Sequence, residues 1–204
     1  MASRARTEVP VDKRRQILDA AVRVFARQGF HSTRVSDIAD EAGVAYGLVY
    51  HYFRSKDQML NELFSERWSL LLTTIEETDG DTPPRERLAA VAGFIVDSYR
   101  HDPELMKVII VEVTRAANSF GRTHLPEIRR AYDMIAKIVA DGQRSGTFRK
   151  DVDPEFASMW FYGAIEQLLS GWVFELIPGD EADFDRARKM VVETICGGLE
   201  APAG

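Results

Sequence analysis

The sequence predicts an all-α protein of about nine helices, on three observations. Apolar residues recur at helical spacing through most of the 204 residues. Asp-Pro and Gly punctuate the periodic segments where helices should start and stop. No convincing strand alternation, hairpin turn, internal repeat or low-complexity tract interrupts them.

The elements follow in order. Leu18, Ala21, Val22 and Phe25 stand at i, i+3, i+4 and i+7, one face of a first helix over about residues 13–28, and Gly29 is its natural stop. Val35, Ile38, Ala39 and Ala42 repeat the pattern in a short second helix, with Thr33 placed to cap it. Gly43-Val44 breaks that helix, and a third runs over about residues 46–52. Ser55 to Gln58 reads as a capping box opening a long fourth helix that reaches about residue 77. Residues 79–84 form a loop, and further helices are expected at about 84–101, 103–117, 126–145, 154–176 and 184–199. Asp102-Pro103, Asp153-Pro154 and Asp183 put an acid at three of these starts, where the positive end of the helix dipole favours it. Gly146 ends the seventh helix.

Composition bounds the class. With 45% hydrophobic and 28% charged residues, the chain reads as a soluble globular protein, long enough for a sizeable core in one unit or two. Cys196, the only cysteine, excludes an intrachain disulfide framework and fits a buried thiol in a reducing cytoplasm. The first thirty residues are charged and lack the apolar run of a secretory signal. The most apolar stretch, residues 159–174, carries Glu166 and Gln167 and falls short of the roughly 20 residues a spanning helix needs. The expectation is a cytoplasmic protein with no membrane contact.

Net charge is −6, yet it is unevenly spread: residues 1–56 hold ten Lys/Arg against six Asp/Glu, a net +4, leaving −10 for the remainder. A basic segment on an acidic body is the footprint of a nucleic-acid-reading head. The segment 29–56, GFHSTRVSDIADEAGVAYGLVYHYFRSK, has the physics of a helix-turn-helix. Small Ala39 lets two helices approach, Gly43 permits the sharp turn, and Val35, Ile38, Val44, Val49 and Phe53 supply a shared core. The outward face of the third helix then offers Tyr46, Gly47, Leu48, Tyr50, His51 and Tyr52. Gly47 weakens a helix by about 1 kcal/mol against Ala, and makes sense where another backbone comes close. Packing of the aromatics against neighbouring helices is the alternative, strongest for Tyr52.

These residues resemble the N-terminal signature of the tetracycline-repressor (TetR) family. The matching elements are Thr33, Ile38-Ala39, Ala42-Gly43-Val44, Gly47, Tyr50, Tyr52-Phe53 and Ser55-Lys56, within a resemblance over about residues 12–60. It implies a DNA-binding domain over 1–56 and a larger ligand-binding and dimerisation domain over 57–204. It makes the third helix the recognition helix in the major groove of a double-stranded operator. Tyr46, Gly47 and Leu48 would face base edges, and Thr33, Tyr50, His51 and Lys56 would meet phosphates. Arg4 and Arg6 would reach the minor groove. One departure is Ala45, where many relatives carry a Ser or Thr cap. By the same resemblance the last two helices form a four-helix bundle with a second copy, Gly163, Ala164, Gly171, Gly197 and Gly198 allowing close approach. The eighth helix is apolar almost all round, so it must be covered on more than one side.

Residues 142–175 are further similar to the fatty-acid-metabolism branch of the family, whose effectors are acyl-CoA thioesters. An apolar tunnel lined by Phe94, Ile95, Ile109, Met134, Ile138 and Phe161 would take an acyl chain, and Arg115, Arg122, Arg129 and Arg130 would meet CoA phosphates. For each of these residues, ordinary core or solvated surface is the competing reading. No catalytic residue, metal or cofactor is expected: His31, His101 and His124 are scattered, and neither a P-loop nor a dinucleotide fingerprint is present. The expected function is a dimeric, ligand-released transcriptional repressor. The alternatives are a repressor for another hydrophobic ligand and a helical interaction module that binds no DNA.

Overall fold

The computed structural model describes residues 12–78, 81–114 and 123–200. Among them the chain forms nine α-helices and one π-helical turn, and no strand beyond an isolated antiparallel bridge between Phe148 and Glu200. The helices are α1 (Lys13–Gln28), α2 (Val35–Ala42), α3 (Tyr46–Tyr52), α4 (Lys56–Glu77), α5 (Pro84–His101), α6 (Pro103–Val108), α7 (Leu125–Arg144), α8 (Pro154–Val173) and α9 (Glu181–Leu199), with the π-helical turn Ile109–Thr114 following α6. The chain packs as two units, and the division falls between Leu63 and Phe64, inside α4. None of the described helices is long and apolar enough to cross a membrane.

In the first unit the expected face of α1 is buried: Leu18, Ala21, Val22 and Phe25 pack with Ile17 and Val24. Asp12 caps the helix through the Arg14 N–H, and Gly29 ends it at φ 81°. The start of α2 differs from expectation. Arg34 is the cap position, and the Asp37 carboxylate accepts its backbone N–H at 2.9 Å. Thr33 lies one residue too early, and its hydroxyl donates to the Gly29 carbonyl at 2.8 Å. At α4 the Ser55 hydroxyl accepts the Gln58 N–H as expected, while the Gln58 side chain reaches back to the Arg54 N–H.

In the second unit α5 is the central helix, packed against α6, α7, α8 and α9. Leu88, Val91, Ala92 and Val96 form its fully buried stripe. Buried Arg87 ties it to α7 through Asp141 at 2.8 Å. The sixth helix was expected to run on as one α-helix. Instead the β-branched run Ile109-Ile110-Val111 crowds the preceding turn, and there the helix widens into the π form.

The ends of α8 and α9 are also displaced. Glu175 takes φ 55° and the Leu176 N–H returns to the Gly171 carbonyl at 2.7 Å, closing α8 at Val173 rather than near residue 176. The cap of α9 is Asp180, and Asp183 is its reciprocal partner three residues on, so the helix begins at Glu181. The Trp172 indole donates to the Pro178 carbonyl at 2.9 Å, and its ring meets Phe184 edge-on at 4.8 Å. Cys196 is a free, fully buried thiol, pushed up to about 11 by burial.

After α7 the chain turns tightly enough that Phe148, 1% exposed, lies against Gly142, where an added Cβ would meet its ring at 2.2 Å. The Phe148 N–H bonds to the Gly142 carbonyl at 2.9 Å, so backbone and ring are held together. Gly142→Ala should therefore destabilise by about 1–3 kcal/mol through overpacking. A melting temperature unchanged within 1–2 °C, on the order of the shift expected from less than 1 kcal/mol, would show that the ring can move aside.

Candidate functional site: nucleic-acid interface and ligand cavity

The α2–turn–α3 segment is closed by a left-handed Gly43 at φ 62°, with the Val44 N–H on the Ala39 carbonyl at 3.0 Å. A side chain at Gly43 would be strained in that conformation. Ile38, Ala39, Val49 and Phe53 are buried, as the shared core requires, and Val35 and Val44 are half-buried at its edge. Polar clamps hold the unit from outside. Glu41 on α2 accepts from Arg23 at 2.7 Å and Arg27 at 3.1 Å on α1. The Gln16 amide donates to the Ala42 carbonyl at 2.7 Å, and Gln28 to Asp37 at 2.9 Å. These bonds hold the Glu41 and Asp37 carboxyls below the usual carboxylate range, Glu41 through its arginines and Asp37 first through the Arg34 N–H. Arg14 pairs with Glu62 and lies 4.7 Å over the Phe53 ring.

Lys56 departs from the expected role. Its ammonium donates to the carbonyls of Phe30 at 2.7 Å, His31 at 3.1 Å and Thr33 at 2.9 Å, and stands 4.6 Å from the Phe30 ring centroid. An ammonium has three donors, so none remains for a phosphate in this arrangement. Thr33 is likewise turned inward, only 3% exposed. Of the four residues expected on phosphates, Thr33 and Lys56 are thus bonded within the frame, while Tyr50 and His51 are exposed.

That frame presents α3. Val49 faces the core, while Tyr46, Gly47, Tyr50 and His51 are exposed and Leu48 and Tyr52 are half-buried. Tyr46 and Tyr50, one turn apart, stack edge to face at 5.0 Å with their hydroxyls 3.1 Å apart. That hydroxyl contact, chiefly, pushes the Tyr46 phenol above its usual range. An added Cβ at Gly47 would meet nothing, so the space above it is open. No carboxylate stands on α3, and Arg34 and Arg54, exposed before and after it, are cations that sequence reasoning did not assign. Their signal was available: they flank α2 and α3 and are the only Lys or Arg residues between Gln28 and Ser55.

In the second unit, Phe94, Ile95 and Ile109 line one cavity of about 30 Å³ with Trp68, Leu71, Met106, Ile110 and Leu169. Met134, Ile138 and Phe161 do not line it; Ile138 and Phe161 are 0% exposed core. Four polar residues missed by the sequence reading share its wall: Arg67, Ser98, Tyr162 and Glu166. The signal for Glu166 was its place amid the most apolar stretch of the chain. Arg129 borders a separate open groove between α7 and α8. Arg130 is paired with Glu76 at 2.6 Å. Arg115 and Arg122, like Arg4 and Arg6, lie outside the described residues.

Along α8 and α9 the structure exposes Phe156, Met159, Trp160 and Met190 at 56–60%. An added Cβ at Gly163, Gly197 or Gly198 would meet nothing, whereas at Gly171 it would meet Ile177 at 3.0 Å. Gly171 is thus buried under the chain's own turn after α8 rather than open to a second copy. A groove of about 400 Å³ between α8 and α9 is lined by Ala164, Leu168, Met190 and Ile195 among others. Among the described residues no cluster of three or more His, Cys, Asp or Glu could hold a metal.

Two family models match this chain. One, described as bacterial regulatory proteins of the tetR family, covers residues 17–63; the other, described as a tetracyclin repressor-like C-terminal domain, covers residues 84–195. The chain is 31% identical over 186 residues to the fatty acid metabolism regulator protein of Bacillus subtilis (strain 168), spanning 90% of this chain and 94% of that one. It is 28% identical over 204 residues to the HTH-type transcriptional repressor KstR2 of Mycolicibacterium smegmatis, spanning 96% and 94%. Among solved structures, it is similar to the fatty acid degradation regulator FadR from Bacillus halodurans, with a TM-score of 0.80, 25% identity and coverage of 95% and 98%. It is also similar to the transcriptional regulator FadR from Bacillus subtilis in complex with stearoyl-CoA, with a TM-score of 0.79, 27% identity and coverage of 91% and 99%. The exposed face of α3, the helical second unit and both family matches agree: the chain belongs to the TetR family of DNA-binding transcriptional regulators.

Proposed function

We propose that this regulator is a cytoplasmic repressor that holds a palindromic operator as a homodimer and is released by a fatty acyl-CoA. The acid-free, exposed face of α3 carries the DNA reading. Tyr46, Gly47 and Leu48 meet base edges, Leu48 against a thymine methyl, while Tyr50 and His51 meet phosphates. Arg34 and Arg54 add the cations, and Thr33 and Lys56 position the helix without touching DNA. A two-fold dimer offers two such helices, so its operator is a palindrome.

The exposed apolar residues of α8 and α9 support the dimer, since a patch of that kind on a soluble chain marks an interaction surface. The acyl-CoA reading is supported by the similar FadR of Bacillus subtilis, solved with stearoyl-CoA, and by the largely apolar cavity of the second unit. Helix α4 supplies the coupling. It begins at Lys56 in the first unit, and Arg67, Trp68 and Leu71 farther along it border the cavity. A ligand that needs more room than about 30 Å³ must displace part of that wall. Release follows only to the extent that the ligand prefers the displaced state, with a coupling of about 1–3 kcal/mol typical.

Operator titrations over a range of salt concentrations separate the roles. Tyr46→Ala and Leu48→Ala should change which operator variants are preferred. Arg54→Ala should lower the slope of log K against log salt by about 0.9, the value for one lost phosphate contact. Lys56→Ala should weaken binding to all sequences with that slope unchanged; a slope loss equal to that of Arg54→Ala would make Lys56 a phosphate ligand after all.

Gly163→Arg should convert the dimer to a folded monomer in sedimentation and abolish operator binding, because Gly163 faces open space within the chain. A variant that stays dimeric would move the interface elsewhere. A saturated acyl-CoA at micromolar level should dissociate the operator complex, and free CoA should not. A chain-length series without release would remove this effector class and leave the repressor reading intact.

A further inference from the structure

Two exposed phenols on α3 are tied to each other. The rings of Tyr46 and Tyr50 meet edge to face at 5.0 Å, and the Tyr46 hydroxyl donates to the Tyr50 oxygen at 3.1 Å. Ionisation of Tyr46 would break that bond, which is the chief reason its phenol is held above the usual range. A phenol has one proton to give, and its oxygen can also accept. In the DNA reading above, Tyr50 meets a phosphate. An ionised phosphate oxygen only accepts, so the Tyr50 proton is committed to it. The contact between the two hydroxyls then has one direction, with Tyr46 donating and Tyr50 accepting, as in the structure. Tyr46 is left with an oxygen that accepts and no proton to offer.

Every base pair presents one amino donor in the major groove, at N6 of adenine or N4 of cytosine, among acceptors at N7, O6 and O4. An oxygen whose proton is engaged elsewhere is attracted to the amino group and repelled by the acceptors. We propose that Tyr46 reads its base pair by accepting a hydrogen bond from the amino group of adenine or cytosine, and that Tyr50, touching no base, sets this polarity by holding the Tyr46 proton. The proposal rests on the reading of α3 as the recognition helix and narrows it from a base edge in general to one chemical group. Tyr50 acts here as a positioning residue for Tyr46.

Selection of bound duplexes from a random pool by the full-length protein yields the operator. The position at which Tyr46→Phe loses its base preference identifies the pair that Tyr46 meets. The amino group of that pair is then deleted, with purine in place of adenine or 2-pyrimidinone in place of cytosine, and affinities are measured by fluorescence anisotropy. The deletion should weaken the unaltered protein roughly fivefold more than it weakens Tyr46→Phe, the loss expected for one neutral hydrogen bond. Tyr50→Phe keeps the ring but removes the oxygen that holds the Tyr46 proton, so Tyr46 becomes free to donate to a keto oxygen. Its preference for that pair over the reversed pair should fall towards parity, on top of a uniform loss from the missing phosphate contact. If the amino deletion costs the unaltered protein no more than it costs Tyr46→Phe, or if Tyr50→Phe keeps the full preference, the proposal is overturned and the operator reading stands. If Tyr46→Phe relaxes no position, Tyr46 reads no base and the proposal falls with that assignment alone. If no sequence is selected at all, the operator reading is itself overturned, and the proposal with it.

Discussion

The ammonium of Lys56 closes the N-terminal unit from the inside. Three backbone carbonyls of the α1–α2 connection converge on it, and converging carbonyl dipoles repel one another unless a cation or donors lie between them. Because Lys56 is the first residue of α4, one group joins the start of that helix to the loop that precedes α2. Arg14 supports the assembly through Glu62 and the Phe53 ring. The seven residues of α3 are too few to be a stable helix alone, since isolated helices shorter than about 12 residues are marginal in water. They are helical because this frame holds both of their ends.

The same frame takes up most of the Lys and Arg residues described between residues 12 and 56. Arg23 and Arg27 face Glu41, Arg15 faces Asp19, Arg14 faces Glu62, and Lys56 faces carbonyls. Most of these cations hold α1, α2 and α4 together, and the exposed α3 is left with hydroxyls, an imidazole and two flanking arginines. In the proposed reading, such a face discriminates by shape and hydrogen bonding more than by charge.

The second unit is organised by α5, which packs against α6, α7, α8 and α9 and is joined to α4 by the hydrogen bond from Arg67 to Ser98 at 3.2 Å. Its Ser98 faces the cavity and Arg87 faces α7. The cavity is small because bulky side chains such as Trp68, Phe94 and Tyr162 converge on it. The π-helical turn supplies Ile109 and Ile110 to the same wall, where its widened hydrogen bonding is a weaker constraint than an α-helix would be.

How much was legible beforehand depended on the range of the interactions concerned. Helical class, the bounds of α1, α4 and α5, and the helix-turn-helix core followed from periodicity, prolines, acids and glycines, which act within one or two turns of chain. The exposed residues of α3 followed from the same local geometry. The roles of Thr33 and Lys56 did not, because a hydroxyl or an ammonium chooses its partner in space, and their partners come from another turn or helix. The sorting of the apolar candidates was also beyond local pattern. Phe94 and Phe161 are both aromatic residues on apolar helix faces, yet one borders the cavity and the other is sealed in the core. Gly163 and Gly171 sit on the same helix, and only the turn after α8 decides that one is open and the other lies under Ile177. Local spacing by itself determined which segments are helices and which face each buries; tertiary packing alone decided which side chains meet, because burial and hydrogen-bond partnership depend on neighbours far away in sequence.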